Sequence, residues 1–180
     1  MKTSDPLKRH IVQGEHLIVD RPDVVISTIL GSCVAACMRD PKAGVGGMNH
    51  FLLPGDDRER SGAQYGAYLM EVLINGLLAR GARRERLECK LFGGGRLLNG
   101  MTDVGRQNAE FAERFLRDEG IAYFGGSLGG DHARRIQYQP GTGKVLQQKL
   151  TGERQVFTKE SKPAPVPVVE DAGELELWAA

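Results

Sequence analysis

The sequence predicts an α+β fold, a layered sandwich in which two helices pack on a mainly antiparallel, hairpin-linked sheet. Strand-like runs outnumber helical ones, and short turns rich in glycine and proline join most of them. Only two segments space their apolar residues as a helix does. We expect strands at residues 16–19, 24–30, 34–38, 45–53, 87–92, 121–124, 135–138 and 145–150.

The turns between these strands are readable in the sequence. Residues 20–22 (Asp-Arg-Pro) separate the first two strands. Residues 40–44 (Asp-Pro-Lys-Ala-Gly) are turn formers between two strand-like runs, and residues 140–143 (Pro-Gly-Thr-Gly) join the last two strands. Both of the latter segments predict β-hairpins.

The two helices are predicted from their caps and their apolar spacing. Residues 61–64 (Ser-Gly-Ala-Gln) fit a capping box, and the apolar spacing that follows continues to Gly81. The second helix begins after Thr102 or Asp103, either of which can cap it, and ends before Gly120.

Composition limits the domain organisation and the partners. The 180 residues predict one domain over residues 1–157 and a flexible, proline-rich and acidic tail over residues 158–180. With a formal net charge of +1, the chain has no broad positive field for nucleic acid. Neither a signal peptide nor a membrane span is evident, so we expect a cytoplasmic protein.

A cysteine and a histidine lie on either side of the first hairpin. If Arg39 and Gly44 close a four-residue loop, Cys33 lies directly across from His50, with Cβ atoms about 5 Å apart. A closing pair shifted by one residue sets Phe51 opposite Cys33 instead. An imidazole beside a thiol can take its proton, giving a thiolate–imidazolium pair suited to nucleophilic catalysis.

Two other interpretations of the cysteines stay open. Cysteine is among the most buried residue types, so Cys33 can be a core residue, as Cys37 and Cys89 in apolar strands more simply are. Alternatively, Cys33, Cys37, His50 and Cys89 hold a metal, although a Cys-x-x-x-Cys spacing on a strand is not that of a zinc ribbon or knuckle.

Two further features have alternative interpretations. The glycine runs at residues 93–95 and 125–130 lack the pattern of a phosphate-binding loop, and we interpret them as tight turns that line the active site. A basic cluster follows the first helix and is either a solvated loop or a docking surface for acidic helices. It consists of Arg80, Arg83, Arg84 and Arg86.

The sequence resembles the CheD family over about residues 10–150. The resemblance rests on residues 30–35 (Leu-Gly-Ser-Cys-Val-Ala), the Asp-Pro at residues 40–41 and residues 46–54 (Gly-Gly-Met-Asn-His-Phe-Leu-Leu-Pro). Shorter segments agree in order at residues 90–94, 104–108, 125–126 and 142–143.

The resemblance implies a protein-glutamine glutaminase that deamidates methyl-accepting chemoreceptors. It implies a layered α/β/β sandwich, with Cys33 as the nucleophile, His50 as the general acid and base, and no metal or organic cofactor. The third catalytic residue of the family is a hydroxyl residue six positions before the cysteine. Ser27 occupies that position here, with Thr28 as the alternative.

The resemblance also implies partners and leaves other functions open. The partners are the cytoplasmic receptor helices and a CheC-like phosphatase, and we expect a monomer without membrane insertion. A non-catalytic adaptor for the same partners needs only a surface, whereas a thiol protease or a transglutaminase would use the same Cys–His pair.

Overall fold

The computed structural model describes residues 5–53, 59–97, 103–151 and 175–178. Within these ranges the chain forms ten strands and two α-helices. The strands are β1 (Leu7–His10), β2 (His16–Val19), β3 (Val24–Leu30), β4 (Val34–Asp40), β5 (Val45–Asn49), β6 (Glu88–Gly93), β7 (Ala122–Leu128), β8 (Ala133–Gln139), β9 (Lys144–Leu150) and β10 (Leu175–Trp178). The helices are α1 (Glu59–Leu78) and α2 (Val104–Asp118), with a short 3-10 helix at Arg84–Arg86.

The described strands form two five-stranded sheets, in the orders β1-β3-β8-β9-β10 and β2-β5-β4-β6-β7. Neighbours are antiparallel except for β1 with β3 and β6 with β7, which are parallel. Both helices pack on the second sheet, so the layers run helix, sheet, sheet. The predicted α+β sandwich is confirmed.

Two apolar clusters hold the three layers together. Between the helices and the second sheet, Phe51 and Phe111 pack edge to face with ring centroids 6.0 Å apart. Between the sheets, alternate residues of β3 such as Ile26 and Leu30 are fully buried, as the period of a strand requires. Each such side chain contributes about 1.5–3 kcal/mol by leaving water.

The predicted helix caps are partly right. Asp103 caps α2, because its carboxylate accepts the backbone amide of Arg106 at 3.0 Å, while Thr102 lies outside the described residues. The capping box at residues 61–64 is wrong, since α1 already includes Glu59 and Ser61 lies inside the helix. Gly81 follows the end of α1 and donates its amide to the carbonyl of Leu78 at 3.0 Å.

Two short edge strands differ from the prediction. β1 has no apolar alternation and is mostly exposed, so only its pairing with β3 makes it a strand. β10 pairs with β9 inside the predicted flexible tail, so the structure differs from that prediction at residues 175–178. Residues 158–174 of the predicted tail lie outside the described residues.

Two connections also differ from the prediction. The turn after β2 carries the chain from one sheet to the other, so β2 and β3 do not pair. β7 continues through Gly125 and Gly126, which we expected to be in a turn. A side chain at Gly126 would collide with the backbone of Leu91, which explains why glycine occupies this position of the strand.

Neither helix among the described residues is long and apolar enough to cross a membrane.

Candidate active site

The first hairpin has the predicted loop length but a different register. Asp40 pairs with Val45 and closes a loop of four residues, one position later than the expected Arg39–Gly44 pair. Further along, Val34 and Phe51 exchange both backbone hydrogen bonds, at 3.0 and 2.9 Å. In this register Leu52, not His50 or Phe51, lies directly across from Cys33, so the predicted direct pairing is wrong.

Cys33 and His50 nevertheless lie on the same face of the second sheet. Each immediately precedes a member of the Val34–Phe51 pair, whose side chains face the helices. Because side chains alternate along a strand, Cys33 and His50 both face the first sheet. They are diagonal neighbours, for which Cβ atoms are separated by somewhat less than about 7–8 Å.

Thr28 of β3 reaches across the space between the sheets to His50. Its hydroxyl oxygen is 2.8 Å from His50 Nδ1, and the hydroxyl donates to the carbonyl of Ile11 at 2.7 Å. Ser27 faces the opposite way, with its hydroxyl 3.3 Å from Nδ1 of His10. The expectation that Ser27 contacts His50 is therefore wrong, and the alternative, Thr28, makes the contact.

These contacts determine which nitrogen of His50 carries the proton. A hydroxyl has one proton to donate, and that of Thr28 goes to Ile11, so Thr28 accepts the Nδ1–H of His50. The lone pair is then on Nε2, which is buried and makes no hydrogen bond to any described residue. His50 thus presents a bare basic nitrogen in the same inter-sheet space as Cys33.

The charge state of His50 differs from the expectation. The residue is 2% exposed, and burial, with a smaller contribution from the positive charge of His10, lowers its pKa from 6.5 to about 4. The lowered pKa favours a neutral imidazole near pH 7, rather than the imidazolium of the expected pair. A neutral imidazole is the form that accepts a proton.

The loop between β1 and β2 brings a glutamine to the cysteine. The amide of Glu15 donates to the carbonyl of Val12 at 3.0 Å, and Gly14, with φ of 87°, supplies the positive φ that this turn requires. Gln13 lies at the tip, where its carboxamide oxygen is 3.6 Å from Cys33 Sγ. Sequence reasoning missed Gln13, because one glutamine in a polar loop carries no pattern.

A glycine loop supports the backbone of the cysteine from the other side. The amides of Gly94 and Gly95 donate to the carbonyls of Cys33 and Gly31 at 2.8 and 2.9 Å. A side chain at Gly93 would collide with the Cys33 carbonyl, so this close approach requires glycine. Residues 93–95 thus lie against the backbone of Cys33, and their role in lining an active site stays a prediction.

Asn108 of α2 ties two segments of the site together. It is fully buried, donates to the carbonyl of Ser32 at 2.8 Å, and accepts the amide of Leu53 at 2.9 Å. The residue is within the segment of residues 104–108 that resembles the family, yet nothing in the sequence indicates what it contacts. Only the packing of α2 against the cysteine loop gives it this role.

The other two cysteines lie away from this arrangement. Cys37 faces the first sheet and Cys89 faces the helices, so the two thiols are on opposite faces of the second sheet. A single ion cannot bridge them, so the alternative of a metal held by Cys33, Cys37, His50 and Cys89 together is wrong. Burial raises the pKa of both Cys37 and Cys89, which makes them poor nucleophiles.

The basic cluster after α1 is engaged within the protein. Arg86 forms a 2.7 Å ion pair with the buried carboxylate of Asp40, and Arg84 contacts Glu71 and Glu119 at 3.4 and 2.8 Å. Arg80 donates to the carbonyl of Ile18 at 2.6 Å, and Arg83 is 4.0 Å from Glu85. These partners favour a structural role for the cluster over a docking surface.

The fold and the site together define the class of protein. It is an α/β/β-layered sandwich with a thiol, a neutral imidazole and a buried hydroxyl grouped where the two sheets meet, a set suited to nucleophilic chemistry on a carbonyl compound. The family model described as CheD chemotactic sensory transduction matches residues 52–149. The chain belongs to the CheD family.

Relatives match over most of their own length. A protein of Rhizobium meliloti is 56% identical over an alignment of 161 residues that covers 86% of this chain and 88% of the relative. One of Agrobacterium fabrum is 54% identical over 88% of this chain and 90% of the relative. One of Caulobacter vibrioides is 53% identical over 96% of this chain and 94% of the relative. All three are named probable chemoreceptor glutamine deamidase CheD.

Proposed function

We propose that this protein deamidates glutamine side chains of chemoreceptors, with Cys33 as the nucleophile, His50 as the general base and acid, and Thr28 as the residue that orients His50. The observation that carries the proposal is the Thr28–His50 contact, which leaves a bare Nε2 on the same sheet face as the thiol. The names of the relatives, probable chemoreceptor glutamine deamidases, supply the substrate.

The reaction begins with a proton transfer inside the site. Neutral His50 accepts the thiol proton of Cys33 at Nε2 as the sulfur attacks the carboxamide carbon of the substrate glutamine. Sulfur and carbon form a bond, and the carbonyl oxygen becomes an oxyanion held by amide donors of the site. Thr28 keeps the Nδ1–H engaged, so the ring does not turn away as it becomes charged.

The second half returns the enzyme to its resting state. The imidazolium of His50 protonates the amine, the carbon–nitrogen bond breaks, ammonia leaves, and a thioester links Cys33 to the substrate. Water, losing a proton to His50, then attacks the thioester. The Cys33 sulfur leaves and takes that proton back from His50, and the new carboxylic acid ionises to glutamate. Each turnover consumes one water, releases one ammonia and adds one negative charge to the receptor.

The proposal is tested with a purified cytoplasmic fragment of a chemoreceptor. We expect the protein to convert particular glutamines of the fragment to glutamate, as mapped by peptide mass spectrometry, with equal release of ammonia. A fragment that binds but keeps every glutamine would favour the adaptor function. Backbone cleavage would indicate a protease, and incorporation of an added primary amine would indicate a transglutaminase.

A CheC-like phosphatase is a second proposed partner, implied by the resemblance of the sequence, and we propose that the deamidase itself is monomeric. Size-exclusion chromatography with light scattering checks both points. We expect a monomeric mass for the protein alone and a mass equal to the sum of the two chains when the phosphatase is added.

A further inference from the structure

We infer that the side chain of Gln13 is a catalytic group that donates a hydrogen bond to the oxyanion formed at the substrate carbon. The inference deepens the proposed function and rests on Cys33 being the nucleophile. It adds a side-chain donor, carried by the turn between β1 and β2, to the amide donors that the proposed mechanism requires.

Distance places the carboxamide where an oxyanion forms. In the tetrahedral intermediate the oxyanion is separated from sulfur by two bonds, so its donors lie near, but not on, the sulfur atom. The carboxamide oxygen of Gln13 is 3.6 Å from Cys33 Sγ. A half-turn about the last bond of the side chain exchanges this oxygen with the NH2 group, and the rotation is soft because that torsion is broad.

The two orientations match the two states of the sulfur. In the resting enzyme the thiol donates its proton to the Gln13 oxygen. Once the proton has moved to His50, the sulfur and then the substrate oxygen are negative, and the NH2 group becomes the complementary partner. One side chain thereby serves the resting state and the charged intermediate without movement of the backbone.

The turn that carries Gln13 is anchored to the other catalytic groups. The amide of Gly14 donates to the carbonyl of His50 at 2.8 Å, and the amide of His50 donates to the carbonyl of Glu15 at 3.0 Å. On the β1 side, the carbonyl of Ile11 accepts the hydroxyl of Thr28. The backbone of the turn is thus held in a fixed relation to His50 and Thr28, as a preorganised donor requires.

Exposure separates this role from a packing role. Gln13 lies on an exposed turn, so its side chain is not part of the packed core. Replacing an exposed side chain on a turn changes the free energy of unfolding little. Effects of Gln13 substitutions on turnover can therefore be separated from effects on folding.

The experiment measures kcat and KM on the receptor fragment for the wild type and for Gln13→Met, which keeps the side-chain length and removes the donor. The matched control is Gln107→Met, at an exposed position of α2. We expect Gln13→Met to lower kcat about 100-fold, with KM changed by no more than about threefold. Gln13→Glu, which places a negative charge beside the oxyanion, should lower kcat further, and Gln107→Met should behave as the wild type.

A second measurement isolates the intermediate. A receptor peptide whose target glutamine carboxamide is replaced by an aldehyde adds to Cys33 as a tetrahedral adduct, and we expect Gln13→Met to bind it about 100-fold more weakly. Binding of the unmodified peptide to inactive Cys33→Ala protein should be equal with and without Gln13→Met.

The outcomes distinguish this inference from the proposed function. If the wild type deamidates the fragment and Gln13→Met does so equally fast or faster, Gln13 merely covers the thiol and the inference fails alone. Conversion of Gln13 itself to glutamate in the wild type but not in Cys33→Ala would make it a substrate instead of a donor, and would also overturn the inference. An inactive wild type would overturn the proposed function itself.

Discussion

His50 couples the chemistry of the site to the stability of the fold. Its pKa is about 4 in the folded protein and near 6.5 when exposed, so the unfolded chain binds a proton more readily. The contribution of this residue to stability is therefore fully present above about pH 6.5 and is lost as the pH falls toward about 4.

Acidification should therefore destabilise the wild type more than His50→Gln protein. We expect the free energy of unfolding to fall by about 3 kcal/mol more in the wild type between about pH 7 and about pH 4. Urea unfolding at several pH values measures the difference. His132, whose pKa is also lowered by burial, should contribute equally to both proteins and cancel. The smaller effect of the His10 charge is part of the pKa shift of His50 and is included in the expected difference. Parallel pH profiles for the two proteins would contradict the assigned neutral state.

Thr28 and Ser27 provide a test of which hydroxyl orients the imidazole. Thr28→Val keeps the shape of the side chain but cannot accept the Nδ1–H of His50, and we expect it to lower kcat about tenfold to a hundredfold. Thr28→Ser should retain most of the activity. Ser27→Ala, on the opposite face of β3, should turn over within about twofold of the wild type. A larger loss in Ser27→Ala than in Thr28→Val would reverse the assignment.

Among the elements, the first hairpin shows where the sequence can and cannot predict the site. Turn formers at residues 40–44 predict a four-residue loop between two strands, and the structure has one. Two registers satisfy that pattern equally. One is closed by the Arg39–Gly44 pair and the other by the Asp40–Val45 pair. The choice depends on distant partners, because the Asp40 carboxylate accepts the backbone amide of Arg83 and the guanidinium of Arg86.

The same limit applies to β3. Alternation along a strand predicts that only one of Ser27 and Thr28 faces the site, but not which one. The answer comes from burial of the whole strand between β1 and β8, with Ile26, Thr28 and Leu30 facing inward. The cysteine and the histidine were predictable as residues. Their diagonal geometry depends on the register of the first hairpin, and the contact with Gln13 depends on the position of the turn between β1 and β2.

Asp40 should be a major determinant of stability at the element scale. Its side chain is fully buried and accepts hydrogen bonds from the amides of Lys42, Ala43 and Arg83 as well as from Arg86. Asp40→Ala leaves these donors and one cation without their acceptor, and we expect it to lower the free energy of unfolding by about 3–5 kcal/mol.

The matched control for Asp40 is a partly exposed aspartate. Asp23 also forms a 2.7 Å ion pair, with Arg21, but the side chains of Arg21 and Asp23 are 62% and 40% exposed. Asp23→Ala should therefore lower the free energy of unfolding much less than Asp40→Ala does. Chemical denaturation of the two variants gives both values, and equal losses would show that burial of Asp40 does not have the effect we assign to it.

Across the whole molecule, the end of the chain completes the first sheet. β10 pairs with β9, Trp178 packs edge to face on the buried ring of Phe92 at 6.1 Å, and its carbonyl lies 3.4 Å from Lys90 Nζ. A proline-rich segment and an acidic end predict a tail, and pairing with a strand more than twenty residues away is not readable from that composition. The boundary at residue 158 stays a prediction.

Trp178 should contribute to stability and its neighbour should not. Trp178→Ala removes the contact with Phe92, and we expect it to lower the free energy of unfolding by about 2 kcal/mol. Leu177 is 60% exposed, so Leu177→Ala should change this free energy by less than about 0.5 kcal/mol. Thermal and urea unfolding measure both. Equal, negligible effects of the two substitutions would mean that the chain end does not pack in solution.

Removal of residues 158–180 should leave turnover unchanged, whether or not the chain end packs.

The central claim is that Cys33, alone among the three cysteines, carries out deamidation with His50. The measurement is conversion of glutamine to glutamate in a receptor fragment by the wild type, Cys33→Ala, His50→Ala, Cys37→Ala and Cys89→Ala, each shown to be folded. We expect Cys33→Ala and His50→Ala to lose activity by about 10⁴-fold or more, and the other two variants to keep it. Substantial deamidation by folded Cys33→Ala protein, or loss of activity only in Cys37→Ala or Cys89→Ala, would contradict the account.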